Sequence, residues 1–243
     1  MTDERINREI AHGKFLRARE AEKIWNWSTP AGRIRLERRR AMLRSVIQVS
    51  MSVLEVGCGT GLFTKGLVDS QARITAIDIS PDLLEAARAS LEGKNVAFEI
   101  RDACNTSFQD KNFDAVVGSS VLHHLAIDKA LPEIFRVLKP GGKICFTEPN
   151  LLNPQVFAMK KIPPLKRLLG ESPDETAFVR GPLAKRLKDT GFDPVVIAPF
   201  DFLHPSIPAA LIPIFRKMGE GLEKIPLIKE IAGSLLITAE KPA

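Results

Sequence analysis

The segment Glu55-Val56-Gly57-Cys58-Gly59-Thr60-Gly61 sets one carboxylate and three alternating glycines directly behind the apolar pair Val53-Leu54. Alternating glycines permit positive φ and bring bare backbone close to a ligand. The helix start expected behind them offers unpaired N–H groups. Such a turn suits a nucleotide-like ligand, and spacing narrows the choice. A dinucleotide turn reads G-x-G-x-x-G, whereas Gly61 comes one position early. A phosphate-cradling Walker loop ends in Gly-Lys-Ser/Thr, which Gly61-Leu62-Phe63 does not supply. A second acid, Asp78, ends the apolar run Arg73-Ile74-Thr75-Ala76-Ile77. It stands near the distance from the glycines at which doubly wound folds place a carboxylate on ribose, and one carboxylate accepts both hydroxyls of a free diol.

Further along, His123-His124 follow Ser119-Ser120-Val121-Leu122, and Glu148 and Asn150 flank Pro149. Histidine exchanges protons near neutral pH, so His123 and His124 are the candidate catalytic bases; a structural role, holding loop backbone, is the alternative. Glu148 and Asn150 are expected to face the acceptor and bind or deprotonate it, or to cap the next segment. His204, in Leu203-His204-Pro205, is a further substrate candidate. Adjacent histidines at one strand end, with no acidic cluster at ligand spacing, predict no metal site.

The elements that must position these groups follow from periodicity and turn chemistry. An apolar face at helical spacing predicts helix over about 3–47, broken at Ser28-Thr29-Pro30-Ala31-Gly32. Trp25 and Trp27, just before the break, either form a lid or pack the arm. A helix is expected over 60–70, and Ser80-Pro81-Asp82 reads as an N-cap with proline at the first helical position. That helix should run to about residue 92. Val96-Ala97-Phe98-Glu99-Ile100 and Phe113-Asp114-Ala115-Val116-Val117-Gly118-Ser119 read as the third and fourth strands, with Asp114 structural. A helix over 127–138 leads to the turn Lys139-Pro140-Gly141-Gly142 and a fifth strand at Ile144-Cys145-Phe146-Thr147. Four strand–helix units in succession argue for a parallel, doubly wound sheet. A helix over 182–190 and strands over 192–200 and 235–240 complete it.

With E-x-G-x-G-x-G, the acid at Asp78, F-D-x-V-V and L-K-P-G-G, the chain resembles the class I S-adenosylmethionine-dependent methyltransferases, of the type 11-like small-molecule kind. The resemblance covers roughly 51–147 strongly and the last strands more weakly. It implies an α/β, Rossmann-like, seven-stranded sheet with the last strand antiparallel. It also implies S-adenosyl-L-methionine held by Glu55, Gly57, Cys58, Gly59, Gly61, Asp78, Ile79, Asp102, Ala103 and Ser119. In this reading Asp78 takes the ribose, Ile79 packs on adenine, Asp102 takes the exocyclic amine and Ala103 makes a backbone contact. Residues 1–50 are then an N-terminal helical arm, and 51–243 the methyltransferase domain. Two insertions, about 150–177 and 201–233, are rich in proline and apolar residues and are expected to cap the sheet edge where ligands bind.

At 243 residues the chain buries a full α/β core. Three scattered cysteines suggest a reducing compartment. No signal peptide or spanning segment is read, which points to a cytoplasmic protein. The net charge of +6 collects at 33–40 and at Lys160-Lys161 with Lys166-Arg167. These runs suit nucleic acid, anionic lipid or an acidic substrate, or are solvated helix faces. Nucleic acid is disfavoured: the fourth strand lacks the aromatic that stacks a flipped base, and the chain has no tyrosine. The expected acceptor is a small, fairly apolar or lipid-linked molecule, methylated on oxygen or carbon in preference to nitrogen, with peripheral membrane contact open. An RNA methyltransferase and a non-catalytic cofactor-binding protein are the alternatives; the oligomeric state is not legible.

Overall fold

The computed structural model describes residues 2–18, 21–162 and 175–243. The expected insertion residues 163–174, including Lys166-Arg167, lie outside them. Seven strands form one sheet: β1 (Ser52–Val56), β2 (Arg73–Asp78), β3 (Val96–Ile100), β4 (Phe113–Ser119), β5 (Leu138–Pro149), β6 (Val195–Phe200) and β7 (Ser234–Glu240). Their order is β3-β2-β1-β4-β5-β7-β6. β1 to β5 run parallel, and β7 is antiparallel to both β5 and β6. The strand order reverses between β1 and β4, which opens a crevice beyond their carboxyl ends, where doubly wound sheets bind ligands.

Alternation along each strand sorts side chains to two faces. Leu54, Val56 and Val116 join Leu131 and Ile134 of helix α6 (Ile127–Val137) in one core, together with Leu183 and Leu187 of α8 (Arg180–Thr190). Val53, Ala115 and Val117 turn the other way, to Leu43 of α3 (Pro30–Arg44), Leu67 of α4 (Thr64–Leu67) and Leu84 of α5 (Pro81–Ser90). Asp114 stays at the strand start, accepting from Ser52 N at 2.8 Å and from Lys139 Nζ at 2.7 Å.

Three sequence expectations shift. The break at 28–32 is the start of α3: the Thr29 hydroxyl accepts from Gly32 N and Pro30 fills the first turn. Before it stand α1 (Thr2–Ala18) and α2 (Ala21–Ile24). The helix expected over 60–70 shortens to α4 and a 3-10 turn at Val68–Ser70, because Gly61 at φ +79° prolongs the preceding turn. β5 starts earlier and ends later than expected. Leu138 pairs with Phe113, the register then slips, and Lys143 pairs with Ala115. The slip holds Gly141 at φ +73°, whose N–H donates to Lys241 O at 2.8 Å.

Arg35, Arg38 and Arg39 of the basic run form an internal clamp, which corrects the reading of those three as free to meet an outside anion or as a solvated face. Arg35 Nε and Arg39 Nη2 donate to Asp201 Oδ2 at 2.8 and 2.6 Å, and Arg38 grips Glu223 through both terminal nitrogens. Arg39 is buried, reaches Ser234 Oγ at 2.7 Å and packs over the Trp27 and Phe200 rings. Burial pulls the Arg39 guanidinium down to about 10, with Asp201 opposing, so it stays charged at neutral pH. Asp201 opens the connection between β6 and β7 and Glu223 follows its longer helix, so α3 anchors that insertion to the domain. It contains α9 (Ile212–Leu222) and α10 (Pro226–Lys229), while the insertion after β5 contains α7 (Pro154–Lys161). No helix among the described residues is long and apolar enough to cross a membrane.

Candidate active site

The glycine turn is held from below by β2. Gly57 N and Cys58 N both donate to Ile77 O, at 2.8 and 3.0 Å. The Asp78 carboxylate spans two elements, accepting from Gly59 N at 2.8 Å and from Ser80 N at 2.9 Å. Burial raises its pKa, and those amides work against the rise. Gly57 lies at φ +67°, and a Cβ there would meet Val121 at 2.3 Å. This backbone therefore has to be bare.

Above the turn lies a cavity of about 860 Å³, within the range of small-molecule sites. Gly57, Cys58, Gly59, Asp78, Ile79, Asp102, Ala103 and Ser119 all line it, as do His123, His124 and His204. Ser119 Oγ is paired with Thr147 Oγ1 at 2.8 Å. Trp25 and Trp27 both line the wall, Trp25 beside Gly59 and Trp27 while packing on Leu36, Leu62 and Phe63.

Four sequence candidates do not reach the cavity wall. Glu55 shares its strand face with Val53, not with Leu54 and Val56, and so points under the turn toward α4. Burial raises it to about 7, with Thr64 opposing. Gly61 serves packing: a Cβ there would press on Leu91 and Ala87 of the α5 segment. Glu148 and Asn150, expected to face the acceptor, are both buried behind the wall. Glu148 Oε1 accepts from Val121 N and Leu122 N at 2.9 and 2.8 Å, and its Oε2 lies 2.7 Å from His123 Nδ1. The Asn150 amide donates to Glu230 O and Ala232 O at 2.8 Å, stitching the two insertions together.

His123 and His124 stand on a 3-10 turn, not at a strand end. Their ring centroids are 4.2 Å apart, and Glu175 from the first insertion joins them, with candidate ligand atoms within 4.8 Å. This overturns the argument that adjacent histidines cannot converge. The Lys160 ammonium lies 2.6 Å from Glu175 Oε2, however, and holds the positive charge that a cation would bring. Glu9 Oε2 sits 3.2 Å from His124 Nδ1, and His12 Nε2 sits 3.9 Å from Glu175. Burial drives His123 well below its ordinary value, so its ring is neutral at pH 7. Burial also acts to lower His124, but Glu9 and Glu175 outweigh it and the pKa is raised.

Sequence reasoning missed Glu9, His12, Lys160 and Glu175, as well as Arg5. The Arg5 guanidinium lies 3.6 Å from Asp102 Oδ1 and donates to His124 O at 2.9 Å. α1 carries three of these residues across the cavity and packs Gly13 against Ser80.

The family model for a methyltransferase domain matches residues 54–146. A demethylmenaquinone methyltransferase of Staphylococcus aureus is 32% identical over 164 residues, covering 65% of this chain and 67% of its own length. One from Clavibacter sepedonicus is 39% identical over 113 residues, covering 45% of this chain and 46% of the relative. The chain thus spans from about half to two thirds of the length of these curated relatives. A chain from the complex of a Haloferax volcanii methyltransferase activator and putative methyltransferase superposes with a TM-score of 0.70 at 20% identity, covering 96% of this chain and 97% of that one. A possible histamine N-methyltransferase from Thermotoga maritima gives 0.69 at 18%, covering 95% and 99%. The glycine turn, the sheet order and the matched residues together place this chain in the class I S-adenosylmethionine-dependent methyltransferase family.

Proposed function

We propose that this protein transfers a methyl group from S-adenosyl-L-methionine to a small, predominantly apolar or lipid-linked acceptor, on oxygen or carbon. The observation that carries this reading is one continuous cavity with two kinds of lining. The glycine turn with Asp78, Ile79, Asp102 and Ala103 borders it, and so do the His123–His124–Glu175 cluster and the apolar side chains of Val156, Met159 and Leu203. The relatives named as demethylmenaquinone methyltransferases favour an acceptor of quinone type.

The residues present fit the cofactor. Bare backbone at Gly59 admits close approach, the Asp78 carboxylate lines the cavity beside it, and Trp25 stands next to the turn. When bound, the cofactor supplies an electrophilic methyl group, so no protein nucleophile is needed. The chain's own work is to position the acceptor, exclude water and take a proton. Ionised Glu148 keeps the His123 proton on Nδ1 and leaves Nε2 as the basic nitrogen. His124, with its raised pKa, then sets a positive charge where an acceptor hydroxyl becomes anionic.

The test is a thermal shift with S-adenosylhomocysteine, with NADH alongside, followed by transfer of labelled methyl to quinols of short and long tail. At a hundred times its Kd the homocysteine compound adds about 2.7 kcal/mol of stability. Stabilisation by NADH alone rejects the cofactor assignment. Label reaching only amines or RNA rejects the acceptor class.

A further inference from the structure

Most large apolar side chains exposed among the described residues belong to the two insertions. Leu227 is 86% exposed at the tip of the second, with Ile225 and Ile228 beside it; Ile214 and Met218 are 57% and 54% exposed on α9; Phe157 is 52% exposed on α7. A folded chain does not ordinarily offer so much apolar surface in one region to water. The insertions are joined just beyond Ile225, Leu227 and Ile228, since Asn150 donates to Glu230 O and Ala232 O, and Asn153 to Ile231 O at 2.8 Å. α7 is two-sided. Val156, Met159 and Lys160 line the cavity, while Phe157 and Lys161 face out.

We propose that this outer face seats on an anionic lipid surface, with Leu227, Ile214, Met218 and Phe157 entering the acyl boundary. Charge selects this occupant. Lys161, Arg216, Lys217 and Lys224 are exposed among the apolar residues. Of the acids on the second insertion, Glu223 is held by Arg38 and Glu230 by Arg180 at 3.0 Å, which leaves Glu220 as the exposed one, 3.6 Å from Arg216. Apolar residues flanked by cations are the pattern of an interfacial helix on anionic lipid. The docking face deepens the lipid-linked acceptor reading and rests on it: the insertions that would enter the lipid are the ones whose inner sides wall the cavity. A tail anchored in the bilayer can then lead a reactive head group into the site without crossing water.

Vesicle flotation of the full chain tests this, using phosphatidylcholine alone and with about a third phosphatidylglycerol. The chain should float with the anionic vesicles, several-fold less with the neutral ones, and less again at about 0.5 M salt. Leu227→Asp and the pair Ile214→Asp with Met218→Asp should each cut partitioning about tenfold or more. None of these residues lines the cavity, so the homocysteine thermal shift and turnover of a short-tailed acceptor should be unchanged. Three results overturn the proposal: no flotation on either vesicle, flotation undiminished by both variants, or a dimer that Leu227→Asp dissociates, which would assign the face to a second copy. Flotation without turnover of any apolar acceptor would sink the acceptor reading and leave the docking face standing.

Discussion

Replacing Glu148 with alanine and with glutamine separates what this carboxylate does for the fold from what it does for His123. It is fully enclosed and takes three hydrogen bonds, from Val121 N, Leu122 N and the His123 ring. Glu148→Ala strands all three donors, and each buried unpartnered group costs about 1–3 kcal/mol. Relief from burying an acid offsets part of this, since burial raises Glu148 to about 7. The net loss should be about 3–5 kcal/mol, or about 6–20 °C in Tm for a chain of this size. Glu148→Gln keeps an acceptor for the two amides but turns its NH₂ toward His123 Nδ1. The ring must then hold its proton on Nε2, where it can no longer accept one. Stability should fall by no more than about 1–2 kcal/mol, while kcat falls by about 10²–10⁴, the usual worth of a general base. Thermal unfolding and steady-state methyl transfer read the two effects separately. Glutamine also removes a titration. Because the folded pKa of Glu148 is raised, its contribution to stability is full below the unfolded value of about 4.3 and is lost as pH rises through about 7. The advantage of the natural chain over Glu148→Gln should therefore shrink between about pH 5 and 8. Turnover of the natural chain should rise over the same interval as Glu148 ionises. A Glu148→Gln enzyme with natural kcat and normal Tm would refute the assignment of His123 as base.

Asp78→Ala removes the acceptor shared by Gly59 N and Ser80 N as well as the proposed ribose contact. Homocysteine-compound affinity should fall about tenfold or more, with about 1–3 kcal/mol of stability; unchanged affinity by calorimetry would remove Asp78 from the cofactor site. Arg39→Leu leaves buried Asp201 with Arg35 as its remaining basic partner. A loss of about 3 kcal/mol and a Tm fall of about 6–12 °C are expected, and a fall under about 2 °C would show that the α3 clamp is not structural. His124→Gln should destabilise most at acid pH. A raised folded pKa stabilises fully below the unfolded value of about 6.5 and fades as pH rises through the folded one. The Tm gap to the natural chain should therefore narrow from pH 6 to pH 9; a widening gap would mean that His124 is held neutral.

What was legible in the sequence was local. The glycine turn, Asp78 at a strand end and Ser80 before Pro81 each declare themselves within a few residues, because turn and cap chemistry depends on neighbours in the chain. Strand alternation carried more than was drawn from it: Leu54 and Val56 on the core face already put Glu55 on the other. Similarly, Arg35, Arg38 and Arg39 stand at helical spacing on one side of α3, a sign of a shared partner. The partners themselves, Asp201 and Glu223, are more than 160 residues away. No periodicity reports such pairing, and none could bring Glu9, His12 and Glu175 to the paired histidines. Those contacts exist because α1 crosses the sheet edge and the first insertion returns over it.

That convergence bears on the acceptor's charge. Among the described residues, three of the chain's four histidines meet there with the carboxylates of Glu9, Glu148 and Glu175 and the Lys160 ammonium. Among the described residues, Lys160 and His124, whose pKa is raised, offset Glu9 and Glu175, while the Val121 and Leu122 amides hold the Glu148 carboxylate. A largely buried cluster compensated in this way gains little from a charged ligand, which would leave one of its members uncompensated at a cost of several kcal/mol. A neutral hydroxyl or carbon acid disturbs the balance only as it reacts, when its proton passes to His123 and negative charge appears beside His124. The cluster then stabilises the acceptor more strongly in the transition state than in the ground state, the condition under which binding groups raise a rate. On this reasoning the cluster favours the proposed neutral acceptor, methylated on oxygen or carbon, over an ammonium-bearing nitrogen.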